Sequence, residues 1–179
     1  MKFSSTILGL VSAALCVQAA PSPAGNQLES RNLLGEIIDA LGLGFVQSIN
    51  ATITLDTLTD NLLNITFEAK NSLPFELTLE SVKSSAGING TEYASFAYTF
   101  PKPVVIPPFG SASSGEIPNV LLTQGATAAL NIIPLGFLDL LDVDITLKAL
   151  TIDGHLGIPL NITGLKQNNI TTSYTLSLV

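Results

Sequence analysis

The sequence predicts an all-β domain: seven antiparallel strands stacked as a two-sheet sandwich, with a short helix ahead of it and one short helix inside it. Three observations carry this expectation. From residue 48 onward the apolar residues recur with a period of two, in seven separate segments. Proline, glycine, asparagine and serine gather between those segments, where chain reversals need them. Apolar residues make up 46% of the 179 and charged residues 12%, enough for a core that needs no covalent staple.

The chain opens Met1-Lys2-Phe3, runs through an apolar stretch from Ile7 to Val17 and reaches Val17-Gln18-Ala19. One positive charge, a short apolar run and small residues at the last and third-last positions describe a secretory signal peptide over residues 1–19, cut after Ala19. The run is too short and wrongly flanked to span a membrane. Cys16 is the one cysteine and leaves with the signal, so residues 20–179 hold no disulfide, thiol nucleophile or thiolate metal site. What remains is one domain's length, able to bury about 70% of its unfolded surface. Losing Lys2 leaves six basic residues against fourteen acidic ones, a net of −8. Dispersed negative charge aids solubility and sets the chain against nucleic acid and anionic lipid headgroups as partners. The chain ends Leu176-Ser177-Leu178-Val179, which is no signal for a lipid anchor.

Residues 20–29, rich in small residues and proline, read as an unstructured lead. Ser30 is placed to cap a helix whose apolar side is Leu34, Ile37, Ile38, Leu41 and Phe45, ended by Gly42 and Gly44. Residues 20–47 are thus lead and amphipathic helix, and 48–179 the sandwich. A helix docked on the domain is one reading of that amphipathic face. Lying on a membrane is the other, and Glu36 and Asp39 on the polar side, in place of lysines, weaken it.

The strands follow in order. Ile49, Ala51, Ile53 and Leu55 share one face of the first, and Leu63, Ile65, Phe67 and Ala69 one face of the second. Residues 75–80 form the third, with Pro74 at its mouth, since proline lacks a ladder donor and belongs at strand starts and edges. Ser84 to Gly90 supplies a reversal into residues 93–100, which hold Tyr93, Phe96, Tyr98 and Phe100. The stretch 101–118 carries five prolines and reads as an edge strand with a long loop; the short internal helix is expected near Val120 to Thr123. Residues 143–152 alternate through Val143, Ile145 and Leu147 and change phase at Ala149-Leu150, as a bulge requires. Segments 156–162 and 170–178 close the set, with Leu156, Ile158, Leu160 and Ile162, then Ile170, Tyr174, Leu176 and Leu178 on their apolar faces. One apolar and one polar face per strand is the mark of antiparallel sheets packed face to face.

Five N-x-[ST] sequons, at Asn50, Asn64, Asn89, Asn161 and Asn169, lie on the polar phases or in a turn. Behind a signal peptide they are N-glycosylation acceptors.

The segment FEAKNSLPFELTLESVKSSAGINGT, followed by IPPFGSASSGEIP, DVDITLKALTID and LGIPLNIT, resembles late-embryogenesis-abundant type 2 (LEA-2) domains over about residues 48 to 163. In that family a strand ends in a junction holding Asn and Pro, and another strand with a Gly-bearing turn follows. PVVIPPFGS and ITGLKQ bring the likeness closer to fungal LEA-2-like proteins. Ser72-Leu73 stands before the proline where Asn-Pro is common. The resemblance implies a seven-stranded, immunoglobulin-like sandwich with one helix. It implies no catalytic residue, and either desiccation protection or a groove that holds lipid.

The chemistry-bearing residues point the same way. His155 is the one histidine and sits beside Gly154 in a turn; the hydroxyl-rich GSASSG at 110–115 does not spell a G-x-S-x-G elbow, because position 112 is Ala. Asp139, Asp142 and Asp144 cluster in LDLLDVD without the spacing, glycine or final glutamate of a calcium loop. Phosphate-binding glycine loops and basic stripes are missing, and eleven aromatics without tryptophan are poor sugar platforms. No catalytic residue, cofactor or metal is expected. The apolar content has two readings: a packed core with glycan-shielded strands, or apolar surface left for a ligand or partner. The sequence therefore predicts a secreted, glycosylated, non-catalytic binding or protective module that sequesters a lipid or other apolar ligand. Its alternative is an effector-like interaction module of the cell wall or a host interface.

Overall fold

A computed structural model describes residues 35–42 and 44–177 of the chain. The expected signal, its cut after Ala19, the lead, the Ser30 cap, Leu34 and Leu178 lie outside the described residues. Residues 35–42 are helical (α1). Then come β1 (Val46–Thr54), α2 (Thr57–Asp60), β2 (Leu62–Lys70), β3 (Glu76–Ile88), β4 (Thr91–Ile106), β5 (Ser111–Ser113), β6 (Ile117–Leu122), α3 (Ala126–Leu130), a 3-10 turn (Ile133–Leu135), β7 (Phe137–Thr151) and β8 (Ile158–Ser177).

The chain is all-β, as its alternation predicts, but the two expected sheets are one. The strands run β1-β8-β7-β3-β4-β6-β2, and β2 returns to β1, closing a seven-stranded barrel. Every neighbouring pair is antiparallel except β1 with β8, which run parallel from Ser48↔Thr171 to Thr54↔Ser177. That parallel pair lets an odd number of strands close on themselves. β5 sits end to end with β6 along the same side of β2, pairing Ser113 with Glu68 and Ser111 with Lys70. The barrel has one narrow seam: β4 and β6 share only the pairs Ala94↔Leu122 and Ser95↔Leu121.

Inward residues alternate along each strand and meet in one core. Ile49, Ala51 and Ile53 of β1 face Leu63, Ile65, Phe67 and Ala69 of β2, with Leu138, Leu140, Val143, Ile145 and Leu147 of β7 across from them. Each of the valine, leucine, isoleucine and phenylalanine side chains contributes about 1.5–3 kcal/mol when fully buried. Ile37, Leu41 and Phe45 are buried in the same core, so α1 docks through its apolar side, whereas Ile38 is partly exposed. Where β1 begins, the Gln167 side chain stands in for a strand partner: it accepts from Val46 N–H at 3.1 Å and donates back to the Val46 carbonyl.

Four expectations are corrected. The reversal is not Ser84 to Gly90, because β3 runs on to Ile88 with Val82, Ser84 and Ala86 inward. The turn is Asn89-Gly90 alone, both at positive φ (50° and 79°), the backbone a two-residue hairpin needs to match strand twist. Val120 to Leu122 is strand, since Val120 and Leu122 are buried with Leu121 out, and the helices are α2 and α3. Segments 156–162 and 170–178 are parts of one strand, β8. Leu156 and Ile158 are exposed because the β7–β8 hairpin overshoots the barrel, leaving nothing to cover them; Leu176, at the far end of β8, is exposed too.

Other details fit the expected pattern. Pro74 precedes β3, and Pro101 and Pro103 lie where β4 flanks the seam. The register there jumps from Ser81↔Thr99 to Leu79↔Val104, so the prolines ride a bulge. Leu150 (φ 59°) is extruded where Glu76↔Thr151 follows Leu77↔Ala149, the bulge foreseen at Ala149-Leu150, although Thr151 keeps the inward phase.

Candidate functional site

The barrel's two ends are built differently, and the cavity lies at the end where β3 finishes. β1 leaves the wall at Thr54 and turns into α2. The Thr57 hydroxyl accepts from Thr54 N–H at 3.1 Å, and Thr57 N–H donates to Thr54 Oγ1 at 3.3 Å, so the turn holds itself. α2 stops at Asn61, whose φ of 58° is one that asparagine tolerates. Asn61 then fastens the neighbouring pieces: its carbonyl accepts from Leu122 N–H at 2.8 Å, and its Oδ1 accepts from Ala126 N–H at 2.8 Å, capping α3. α3 and the 3-10 turn lay Ala129, Leu130, Ile132 and Ile133 over the opening.

Beneath them is a cavity of about 60 Å³. Its wall is Ile49, Ile65, Phe96, Leu122 and Leu140 with further aliphatic neighbours, and among the described residues no charged side chain lines it. Leu58 of α2 and Leu130 of α3 line it and are half-exposed, marking a mouth between the two helices. Four hydroxyl-bearing side chains reach the lining: Thr57, Ser84, Tyr93 and Tyr174. Thr57 is satisfied by Thr54. Ser84 Oγ and Tyr174 OH are buried and, among the described residues, have no hydrogen-bond partner. Burial pushes the Tyr174 phenol up from its ordinary value, keeping it neutral.

The opposite end, where α1 docks, is fastened by polar chemistry as well. Asn71 is 1% exposed. Its Nδ2 donates to the carbonyls of Phe75 (2.7 Å), Pro107 (3.1 Å) and Ile106 (3.3 Å), and its Oδ1 accepts from Leu73 N–H at 2.9 Å. One side chain thereby joins the β2–β3 junction to the end of β4. Nearby, the Thr78 and Thr151 hydroxyls pair at 2.8 Å. Gly154 N–H donates to Glu76 Oε1 at 2.9 Å, and that bond, with the Thr151 hydroxyl second, holds the Glu76 carboxyl below the usual carboxylate range.

The five sequon asparagines all lie away from the cavity lining and are not brought together. Asn89, Asn161 and Asn169 are exposed, Asn89 in the β3–β4 turn. Asn50 donates to Ser173 Oγ at 2.9 Å and Thr175 Oγ1 at 3.3 Å on the outer face, and Asn64 donates to the Glu116 carboxylate.

The residues weighed for chemistry have structural work. His155 is exposed at the β7–β8 tip, bridged backbone to backbone with Ile152. In GSASSG, Ser114 accepts from Phe67 N–H at 3.0 Å and stitches β5 to β2, while Ser113 Oγ accepts from Gly115 N–H at 3.3 Å. Asp139 Oδ1 accepts from Asn169 N–H at 2.9 Å and Asp144 Oδ1 from Gly164 N–H at 3.1 Å. Among the described residues no three His, Asp or Glu side chains are grouped to hold a metal ion, and no helix is long and apolar enough to cross a membrane.

Sequence reasoning missed the cavity residue Ser84 by placing it in a turn. The Asn89-Gly90 dipeptide, preceded by inward Val82, Ser84 and Ala86, was the signal that would have found it. It also missed Asn61, for which a lone asparagine between two strands offers no pattern.

Neither a protein-family model nor a curated protein matches the chain. A solved structure of a protein from Archaeoglobus fulgidus is similar over 69% of this chain and 97% of that one, with 13% identity and a TM-score of 0.32. That likeness is too slight to carry fold or function across.

Proposed function

We propose that this chain is a secreted, glycosylated, non-catalytic binding module that takes up a small apolar ligand inside its barrel, beneath α2 and α3. The observation that carries the reading is the cavity: uncharged, aliphatic, inside the core, and covered on one side only by two short helices and a 3-10 turn. A void in a core forfeits packing contacts, so its retention favours an occupant. Kinship with the LEA-2 domains is proposed alongside, on the likeness of residues 48 to 163. Protein taken from its producing host is extracted with organic solvent and the extract examined by mass spectrometry, with apolar fluorescent probes titrated in parallel. A bound apolar compound, or saturable probe binding, is the expected result; clean protein that binds no probe ends the reading.

The second reading, an interaction module of the cell wall or a host interface, has its own observation. Leu150, Ile152, Leu156 and Ile158 are exposed together at the β7–β8 tip, with Val105 beside Gly154. Capture by wall polysaccharide or membrane-protein fractions, lost in Ile152→Ser/Leu156→Ser, favours it over the first.

A further inference from the structure

We infer that the cavity takes a neutral amphiphile, an apolar body bearing a hydroxyl or carbonyl group that bonds to Ser84 Oγ or to Tyr174 OH, rather than an ionised fatty acid or other anion. The inference rests on the apolar-ligand reading above and goes past it by assigning the ligand's charge and polar group.

Ser84 stands between Val82 and Ala86 on the inner face of β3 and is 7% exposed. Tyr174 enters the same cavity from β8, and the hydroxyls of both are buried without a partner among the described residues. A buried hydroxyl left unpaired is costly, and most such groups in folded proteins are satisfied by something. Both groups donate and accept, so either an alcohol or a carbonyl compound serves them. Desolvation keeps the Tyr174 phenol protonated and hence a donor.

Charge selects further. No Lys, Arg or His among the described residues lines the cavity, and His155 is exposed on the tip at the other end of the barrel. A carboxylate carried inside would be a buried charge without a counterion, which proteins avoid. Size narrows the body. About 60 Å³ is under half of the ~150 Å³ that admits benzene, so anything of that size or larger enters as Leu58 and Leu130 swing aside at the mouth.

Isothermal titration at pH 7 with 1-hexanol, hexanoate and toluene separates the possibilities, on wild type, Ser84→Ala and Tyr174→Phe. Both variants delete an unpaired polar atom, so melting temperatures are expected to hold or rise, which shows that the fold survives. The inference expects hexanol to bind at least a hundredfold tighter than hexanoate. It also expects at least one of the two variants to weaken hexanol about fivefold to tenfold while toluene stays within twofold. Hexanoate equal to hexanol, or hexanol indifferent to both variants, overturns the inference while toluene binding leaves the apolar-ligand reading standing. If none of the three binds to folded wild type, the parent reading fails and takes this one with it.

Discussion

At the end where β3 begins, α1 docks and the barrel is locked by Asn71, one buried side chain bonded to four backbone groups; at the end where β3 finishes, it is shut by α2 and α3, which rest on aliphatic side chains and are tied by Asn61. Directional bonds to backbone have one satisfied arrangement and punish any departure from it. Aliphatic contact has many nearly equivalent arrangements, and short helices gain little stability from their own hydrogen bonds. The first end is therefore a lock, and the second is where the molecule opens most readily. The cavity lies at the second.

The largest test of this contrast is Asn71→Leu. It removes four hydrogen bonds at a side chain 1% exposed and leaves Leu73 N–H without its acceptor, although the Pro107 carbonyl keeps Gly110 N–H, and a loss of about 3–5 kcal/mol is expected in urea denaturation. A loss under about 1 kcal/mol would mean the lock is not one. A matched pair of fillings comes next. Ala149→Val, at a position with no exposure, is expected to cost about 1–3 kcal/mol by overpacking. Ala86→Val, on the cavity wall, is expected to be neutral or to stabilise by up to about 1 kcal/mol while blocking probe binding. Equal penalties would erase the difference between the ends. Smaller again is Asn61→Gly, which keeps the left-handed backbone but removes the cap on Ala126 N–H, costing about 1 kcal/mol. Faster amide exchange confined to residues 126–130 is its expected signature.

The smallest effect is a pH dependence at the locked end. Glu76 has its pKa lowered in the folded protein by Gly154 N–H and then the Thr151 hydroxyl. Its contribution to stability is thus complete above the unfolded carboxylate pKa, about 4.3, and disappears as pH falls through the lower folded value. Acid titration of stability is expected to show a slight extra loss in wild type that Glu76→Gln lacks. An identical profile in the two proteins would remove the carboxylate from the account.

The strands were legible because one-sided burial writes itself into alternate residues, as in Leu63, Ile65, Phe67 and Ala69. Barrel closure was not legible, since it depends on β1 meeting β8, segments more than a hundred residues apart that no local pattern links. Alternation ties a residue to a face but does not name the partner strand. The candidate site was half legible. Its aliphatic wall was expected as core, whereas Ser84 reads as a turn residue because serine and glycine neighbours dominate the local signal. The exposed Leu156 and Ile158 alternate as core strands do, and only the overshoot of the hairpin puts them outside.

The parallel union of β1 with β8 also sets the order in which the molecule can assemble. Ser48 cannot find Thr171 until almost the whole chain has been made, so a protein emerging from its amino end holds its first strand with one side bare throughout synthesis. Such long-range pairing slows folding and prolongs the time during which that bare edge can join a neighbour's.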